Sequence, residues 1–109
     1  MPRDSLGEFE HLILLAILRL GDEAYGVPII EEVEARTGRD VSQAAAYLTL
    51  KRLEGKGWIR SRLSEPTPER GGRAKRYFAL APKGIERMRE TRAALVSMWE
   101  GVEPELDRP

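Results

Sequence analysis

The chain contains no cysteine and only one histidine, His11. Without thiols it can form neither disulfides nor thiolate zinc sites, and it has no cysteine nucleophile. One histidine is too few for a histidine-based metal site or a catalytic triad, so we expect His11 to have a structural or surface role on an apolar helix. No pattern in the sequence resembles a nucleophile–base pair or a phosphate-cradling loop. The sequence therefore predicts no catalytic residues, no metal and no cofactor.

Long hydrophobic runs are also lacking. The longest apolar run, residues 12–18, is far too short to span a bilayer, and the first residues lack the charged-then-apolar layout of a signal peptide. A chain of 109 residues is large enough for one core but not for two. We therefore expect a cytoplasmic protein without a membrane partner.

Net charge is absent as well, but the charges that are present are unevenly distributed. The chain has 18 basic and 18 acidic residues, with a balance of −5 over residues 1–41, +8 over residues 42–92 and −3 over residues 93–109. Binding to a polyanion depends on the local field at one face rather than on the molecular sum. The central segment is therefore the candidate for contact with nucleic acid.

The positive segment begins with a predicted helix over residues 42–57. Ser42 is a suitable N-cap, and the residues 46, 50 and 53 follow the spacing of one buried stripe. The opposite face carries basic, aromatic and hydrogen-bonding groups: Gln43, Tyr47, Leu48, Lys51, Arg52 and Lys56. Taken alone, this pattern fits a recognition helix and an ordinary surface helix equally well.

Two helices are predicted before it. The first runs from Ser5 or Gly7 to about Leu20 and is apolar nearly all round, which fits a central core helix, a helix covered by a second subunit, or both. The second runs from residue 26 or 27 to Gly38. About four residues separate it from the helix at 42–57, which is helix-turn-helix spacing.

A hairpin is predicted after the third helix. Residues 58–65 and 73–80 alternate with a period of two around the turn-rich loop 66–72. Trp58 is expected to anchor the first strand, and either Tyr77 or Phe78 is expected to pack in the core. The order α-α-α-β-β defines a winged helix, in which the hairpin loop projects beside the third helix.

The last predicted helix runs from Pro82 to about Glu103. Apolar residues recur along it at spacings of three and four, with Arg92 as the one polar member of the seam: Ile85, Met88, Leu95, Trp99 and Val102. A terminal helix of this kind either folds back on its own subunit or pairs with another chain, and we favour pairing. We expect a mostly α (α+β) fold, with a winged helix-turn-helix DNA-binding domain over residues 1–80 and a C-terminal dimerisation helix and tail over residues 81–109.

The order and spacing of several stretches resemble the PadR family of bacterial transcriptional regulators over nearly the whole chain. These stretches are LGEFEHLILLAIL at 6–18, AYG at 24–26, AYLTLKRLEGKGWI at 46–59, PTPERGGRAKRYFAL at 66–80 and APKG at 81–84. The resemblance implies a homodimeric winged-helix repressor of the short branch, with one C-terminal helix and with the first helix helping to form the dimer. Two departures are Ala81, where a Thr or Ser cap is common, and the pair Ala45 and Leu48 on the third helix.

We therefore predict a dimer that binds a pseudo-palindromic operator in double-stranded DNA. The predicted DNA-binding residues are Ser42, Gln43, Tyr47, Leu48, Lys51, Arg70, Gly71, Gly72, Arg73 and Lys75. Among these, Gln43 and Tyr47 are the best candidates for base edges, with a phosphate contact as the alternative for Tyr47, and Lys56 is a further phosphate candidate. The predicted dimerisation residues are Phe9, Leu14, Ile85, Met88, Leu95, Trp99 and Val102.

Two alternatives stay open at this stage. Related multidrug sensors in the family bind flat aromatic effectors between tryptophans at the dimer centre, so Trp99 either contacts such a ligand or only packs the dimer. The chain as a whole is either a DNA-binding regulator or a winged-helix module that binds a protein partner.

Overall fold

The computed structural model describes residues 5–65 and 74–107. The elements follow one another as α1 (Glu8–Leu20), a 3-10 turn (Gly21–Glu23), α2 (Gly26–Thr37), α3 (Gln43–Gly55), β1 (Ile59–Leu63), β2 (Arg76–Leu80), α4 (Pro82–Trp99) and α5 (Glu103–Leu106). The order α-α-α-β-β-α confirms the predicted winged helix. Among the described residues, none of the helices is long and apolar enough to cross a membrane.

The boundaries of α2 and α3 follow from local sequence. Gly38 ends α2 in the left-handed conformation, with φ of 72°, and its N–H donates to the carbonyl of Glu34. The Ser42 hydroxyl accepts a hydrogen bond from the N–H of Ala45 at 3.0 Å, which confirms the predicted cap of α3. At the start of α4, Ala81 provides no side-chain cap, and Pro82 occupies the first turn.

The core is built around α1, which packs against α2, α3 and the sheet. Its buried side chains come from every major element: Ile13, Leu14, Ile17, Ile29, Val33, Leu50, Leu53, Trp58, Ile59, Phe78 and Met88. Phe78 is 7% exposed and packs in this core, whereas Tyr77 is only half-buried. The structure thus resolves the choice between the two aromatic residues in favour of Phe78, and Trp58 is buried as expected.

The two strands pair antiparallel, with Ile59 opposite Leu80 and Ser61 opposite Phe78. A third segment joins them at the edge, because Tyr25 forms a bridge with Tyr77 and the N–H of Phe78 donates to the carbonyl of Ala24 at 2.8 Å. The residues just before α2 therefore hydrogen-bond to the hairpin. This link fixes the start of α2 relative to the base of the wing.

The predicted end of the last helix is wrong. The helix α4 ends at Trp99 rather than near residue 103, since Gly101 adopts φ of 85° and turns the chain before α5 begins. Val102 therefore lies outside α4, although its spacing continues the apolar seam.

Two of the predicted dimerisation residues are buried within the protomer. Leu14 has no exposed surface, so the prediction that it contacts a partner is wrong. Met88 is 7% exposed and packs in the core, which leaves it little surface for a partner. Phe9 is half-buried against the same core. On α1, the exposed apolar residues are instead Leu15 and Leu18.

Candidate nucleic-acid interface

The outer face of α3 is open to solvent. Tyr47 is 45% exposed and Leu48 is 63% exposed, and the polar residues around them are exposed as well: Ser42, Gln43, Lys51 and Arg52. The inner face is held by Ala46, Leu50 and Leu53, as predicted, and also by Thr49, which the apolar pattern had missed. A core-packed helix therefore presents cationic, hydroxyl and amide groups on one exposed surface.

Lys56 differs from the other cations of this region. Its Nζ lies 3.3 Å from Oε2 of Glu10 and 4.6 Å from the centre of the Trp58 ring. Glu10 is itself buried and also accepts from the N–H of Gly7 at 2.9 Å. Because Lys56 is engaged inside the protomer, it is poorly placed to bind phosphate.

Four of the predicted wing residues, Arg70, Gly71, Gly72 and Arg73, lie outside the described residues. The described part of the wing is its base, where the N–H of Lys75 donates to Oγ of Ser64 at 2.9 Å and the N–H of Ser64 donates to the carbonyl of Lys75 at 2.8 Å. The side chain of Arg76 donates to Oγ of Ser61 at 2.9 Å. These bonds hold the two cations, Lys75 and Arg76, at a defined place next to the sheet.

A row of two aromatic rings with a cation at each end crosses the sheet at this level. Arg62 lies over the Tyr77 ring at 4.8 Å, the rings of Tyr77 and Tyr25 meet edge to face at 5.3 Å, and Nζ of Lys75 lies 4.4 Å from the centre of the Tyr25 ring. Such contacts restrict a long cationic side chain while leaving its ammonium exposed to water. The row therefore orients Lys75.

One groove joins the third helix to the base of the wing. It has a volume of about 430 Å³ and is lined by α2, α3 and the wing: Tyr25, Gly26, Val27, Tyr47, Ala74, Lys75, Arg76 and Phe78. The structure therefore brings together Tyr47 and Lys75, two predicted DNA-binding residues that are distant in the sequence. Tyr25 and Gly26 belong to the same place, but only the AYG stretch marked them in the sequence.

The chain matches one known protein family over most of its length. The model of the transcriptional regulator PadR-like family matches residues 14–90. The chain belongs to this family. Its members are transcriptional regulators that bind DNA and not enzymes, in agreement with the sequence prediction.

Solved structures of transcriptional regulators, among them PadR-like ones, share the fold. A PadR-like transcription factor from Bacteroides fragilis is 26% identical, with a TM-score of 0.70 over 87% of this chain and 86% of that one. A PadR-like regulator from Bacillus cereus is 21% identical, with a TM-score of 0.72 over 93% of each chain. A transcriptional regulator from Clostridium thermocellum is 22% identical, with a TM-score of 0.70 over 91% of this chain and 89% of that one. Among curated proteins, none matches.

This PadR-like chain has a second, larger groove on another face, between α1 and α4. The groove has a volume of about 490 Å³ and is lined, beside Leu80 of β2, mainly by apolar residues of the two helices: Leu15, Leu18, Ile85, Met88, Leu95, Val96 and Trp99. Its charged lining comes from Arg89 and Arg92, and burial lowers the pKa of His11, which also lines the groove. The described residues contain no cluster of three or more acidic or histidine side chains that could hold a metal ion.

Proposed function

We propose that this PadR-like regulator is a homodimeric repressor, and that each protomer inserts α3 into the major groove of a pseudo-palindromic operator. The observation that carries the proposal is the groove shared by Tyr47 of α3 and the cations Lys75 and Arg76 of the wing base. These groups lie within the segment 42–92, whose charge balance is +8. A positive surface that continues from a helix to a wing matches the shape and charge of duplex DNA.

Within α3 the exposed residues divide by chemistry. Gln43 and Leu48 are the groups for base edges, through hydrogen bonds and through apolar contact with a thymine methyl respectively. Lys51 and the capped N-terminus at Ser42 are suited to phosphate. The wing residues Arg70, Gly71, Gly72 and Arg73 are proposed to extend the backbone contact on sequence grounds alone.

The proposed dimer rests on the exposed apolar surface of α1 and α4. Leu18, Leu95, Val96 and Met98 are between 51% and 77% exposed, and Trp99 is 42% exposed. An apolar surface of this extent is typical of a protein–protein contact. A two-fold protein with one α3 per half-site would place the half-site centres roughly 10 bp apart, about one helical turn.

An aromatic effector at the same contact is also proposed. The groove beside Trp99 combines an apolar wall and His11 with two guanidinium groups, those of Arg89 and Arg92, which supply all of its charged lining among the described residues. This lining favours a flat ligand that is neutral or anionic over a cationic one, because like charges repel at short range. If such a ligand releases DNA, quenching of tryptophan fluorescence and loss of DNA binding should follow the same titration curve.

A gel-shift titration tests the central proposal. The probe is the duplex upstream of the gene that encodes this chain, and the competitor is an excess of random duplex. Specific binding typically exceeds nonspecific binding by about 10³–10⁷-fold, so the complex should survive the competitor. Loss of the complex at stoichiometric competitor would contradict an operator in this fragment. Absence of binding to any duplex would instead favour the protein-interaction module.

A further inference from the structure

We infer that Tyr25 and Gly26, at the start of α2, form with Tyr47 and Lys75 a binding site for one sugar–phosphate unit of the DNA backbone. In this arrangement Tyr25 and Gly26 position the two side chains that contact DNA, Tyr47 from α3 and Lys75 from the wing. The inference rests on the proposed DNA binding and adds a binding site outside the recognition helix. It also assigns Tyr47 to the backbone rather than to a base edge.

Gly26 determines where Tyr47 lies. A Cβ atom added at Gly26 would overlap the Tyr47 hydroxyl and would lie 2.9 Å from both Cε1 and Cζ of the ring. Only glycine leaves room for this approach, and its φ is not in the left-handed region, so close packing is the reason for the residue. The Tyr47 ring thus leans from α3 onto the first turn of α2, and its hydroxyl points into the groove wall rather than straight out from α3.

Tyr25 determines where Lys75 lies. Nζ of Lys75 is 4.4 Å from the centre of the Tyr25 ring and 3.4 Å from its hydroxyl oxygen, to which it donates. The ring of Tyr25 is in turn fixed by the edge-to-face contact with Tyr77 and by the backbone bridge between these residues. The Lys75 ammonium is therefore held at the groove although the residue itself is exposed.

The lining of the groove fits a sugar–phosphate unit better than a free anion. Val27, the tyrosine rings and Phe78 form an apolar wall that suits a deoxyribose. The Lys75 ammonium and the Tyr47 hydroxyl supply donors for the adjoining phosphate. Since Tyr47 is used in this way, direct base readout falls to Gln43 and Leu48.

The test measures binding of a fluorescein-labelled duplex by anisotropy at several salt concentrations, with both the upstream duplex and a random one. Tyr47→Phe removes one hydrogen bond from a neutral hydroxyl to an anionic phosphate and should weaken binding about 10-fold per protomer at every salt concentration. Lys75→Gln removes one phosphate-neutralising charge and should lower the logarithmic salt slope by about 0.9 per protomer. Because a hydroxyl releases no counterion, Tyr47→Phe should leave the slope unchanged.

Two further variants test positioning rather than contact. Gly26→Ala should displace the exposed Tyr47 ring and reproduce the loss caused by Tyr47→Phe, with no further loss when the two are combined. Its matched control is Gly55→Ala, since a Cβ at Gly55 meets nothing within 4 Å. Tyr25→Leu should weaken DNA binding. Tyr25→Phe should retain most of the wild-type affinity, because its ring still orients Lys75. Thermal melts verify that each variant is folded.

Neutral methylphosphonate groups placed one at a time in the upstream duplex identify the phosphate. At one position per half-site the wild type should lose affinity, and Lys75→Gln should show no additional loss. Unchanged affinity and salt slope in both Tyr47→Phe and Lys75→Gln, with wild-type protein bound to DNA, would overturn the inference alone. If the wild type binds neither duplex, the proposed function fails together with it.

Discussion

The body of the winged helix, formed by α1, α2, α3 and the two strands, buries the apolar side chains of its core, whereas the end of α4 exposes its apolar side chains. In the body, Ile13, Leu50, Leu53 and Trp58 are at most 1% exposed. In the last turns of α4, four apolar side chains, two from the seam and two beside it, are open to solvent: Leu95 at 51%, Val96 at 58%, Met98 at 77% and Trp99 at 42%. The two regions belong to one continuous chain, but only the first completes its packing within the protomer.

The junction between the regions lies inside α4 itself. Its start is tied to the body, because the N–H of the N-cap residue Ala81 donates to the carbonyl of Trp58 at 2.9 Å and the Arg87 guanidinium in the second turn lies 5.5 Å from the centre of the Trp58 ring. Gly84 and Met88 are the two buried residues of this helix. The difference between the two ends indicates that the start of α4 is part of the winged-helix body, whereas its end is available to a partner. The proposed domain boundary after residue 80 is therefore better placed within α4.

The largest effect is expected from a charge in the exposed seam. Leu95→Asp places a carboxylate at the proposed dimer contact of both protomers, where it has to be desolvated. We expect association to weaken by on the order of 4 kcal/mol, about 1,000-fold, from lost apolar burial and from the buried charge. Light scattering coupled to size exclusion should show a shift from dimer to monomer.

The matched control for this variant is Leu63→Asp. Leu63 is 61% exposed, but it lies on β1, away from the seam. The Leu63→Asp protein should remain dimeric. Both variants should still show the thermal unfolding transition of a folded winged helix. A Leu95→Asp protein that stays dimeric would show that the exposed end of α4 is not the contact between protomers.

A smaller effect is expected from the junction. A Cβ at Gly84 would overlap the carbonyl oxygen of Trp58 and would lie 3.0 Å from its carbonyl carbon, so Gly84→Ala forces α4 away from the body. Backbone atoms cannot rotate aside, and overpacking of this kind costs about 1–3 kcal/mol. For a domain of this size, each kcal/mol corresponds to a fall in Tm of about 4–8 °C.

Gly55→Ala again provides the control for Gly84→Ala, because its added methyl group meets open space. Its Tm should be unchanged or slightly higher, since alanine is the better helix former. An unaltered Tm in Gly84→Ala would mean that the start of α4 is not fixed to the body, and the contrast between the two ends of the helix would disappear.

The parts of the fold that the sequence predicted are those with a local cause. The stop at Gly38, the cap at Ser42 and the period of two in the hairpin act within a few residues of one another, and the structure confirms each of them. The pairing of Tyr25 with Tyr77 was not predicted, because a single bridge leaves no periodic pattern. The end of α4 was placed too late, since the apolar spacing continues through Val102 while the backbone turns at Gly101.

The candidate site was predicted only in part for a related reason. Periodicity placed Tyr47, Leu48 and Lys51 on the outer face of α3, and their exposure agrees with that. Lys56 looked equivalent in the sequence, but a buried carboxylate 46 residues earlier draws it inward. The close packing of the Tyr47 ring on Gly26 was not predicted from the sequence either. Contacts between distant segments depend on how the helices pack, which no local pattern encodes.

The smallest effect is expected from the polar part of the body, where Glu10→Gln tests whether Lys56 belongs to the core or to the DNA surface. The Gln side chain can still accept from the N–H of Gly7, but it no longer neutralises Lys56, so the free energy of unfolding should fall by about 1–2 kcal/mol.

The control is Glu8→Gln. Arg39 lowers the pKa of Glu8 through an ion pair at 2.9 Å, but the Glu8 side chain is 74% exposed, so water screens the pair and stability should not change. Urea denaturation of the two variants makes the comparison. Equal stability of both would show that the Glu10–Lys56 pair adds nothing to the body, and Lys56 would return to the set of proposed phosphate contacts.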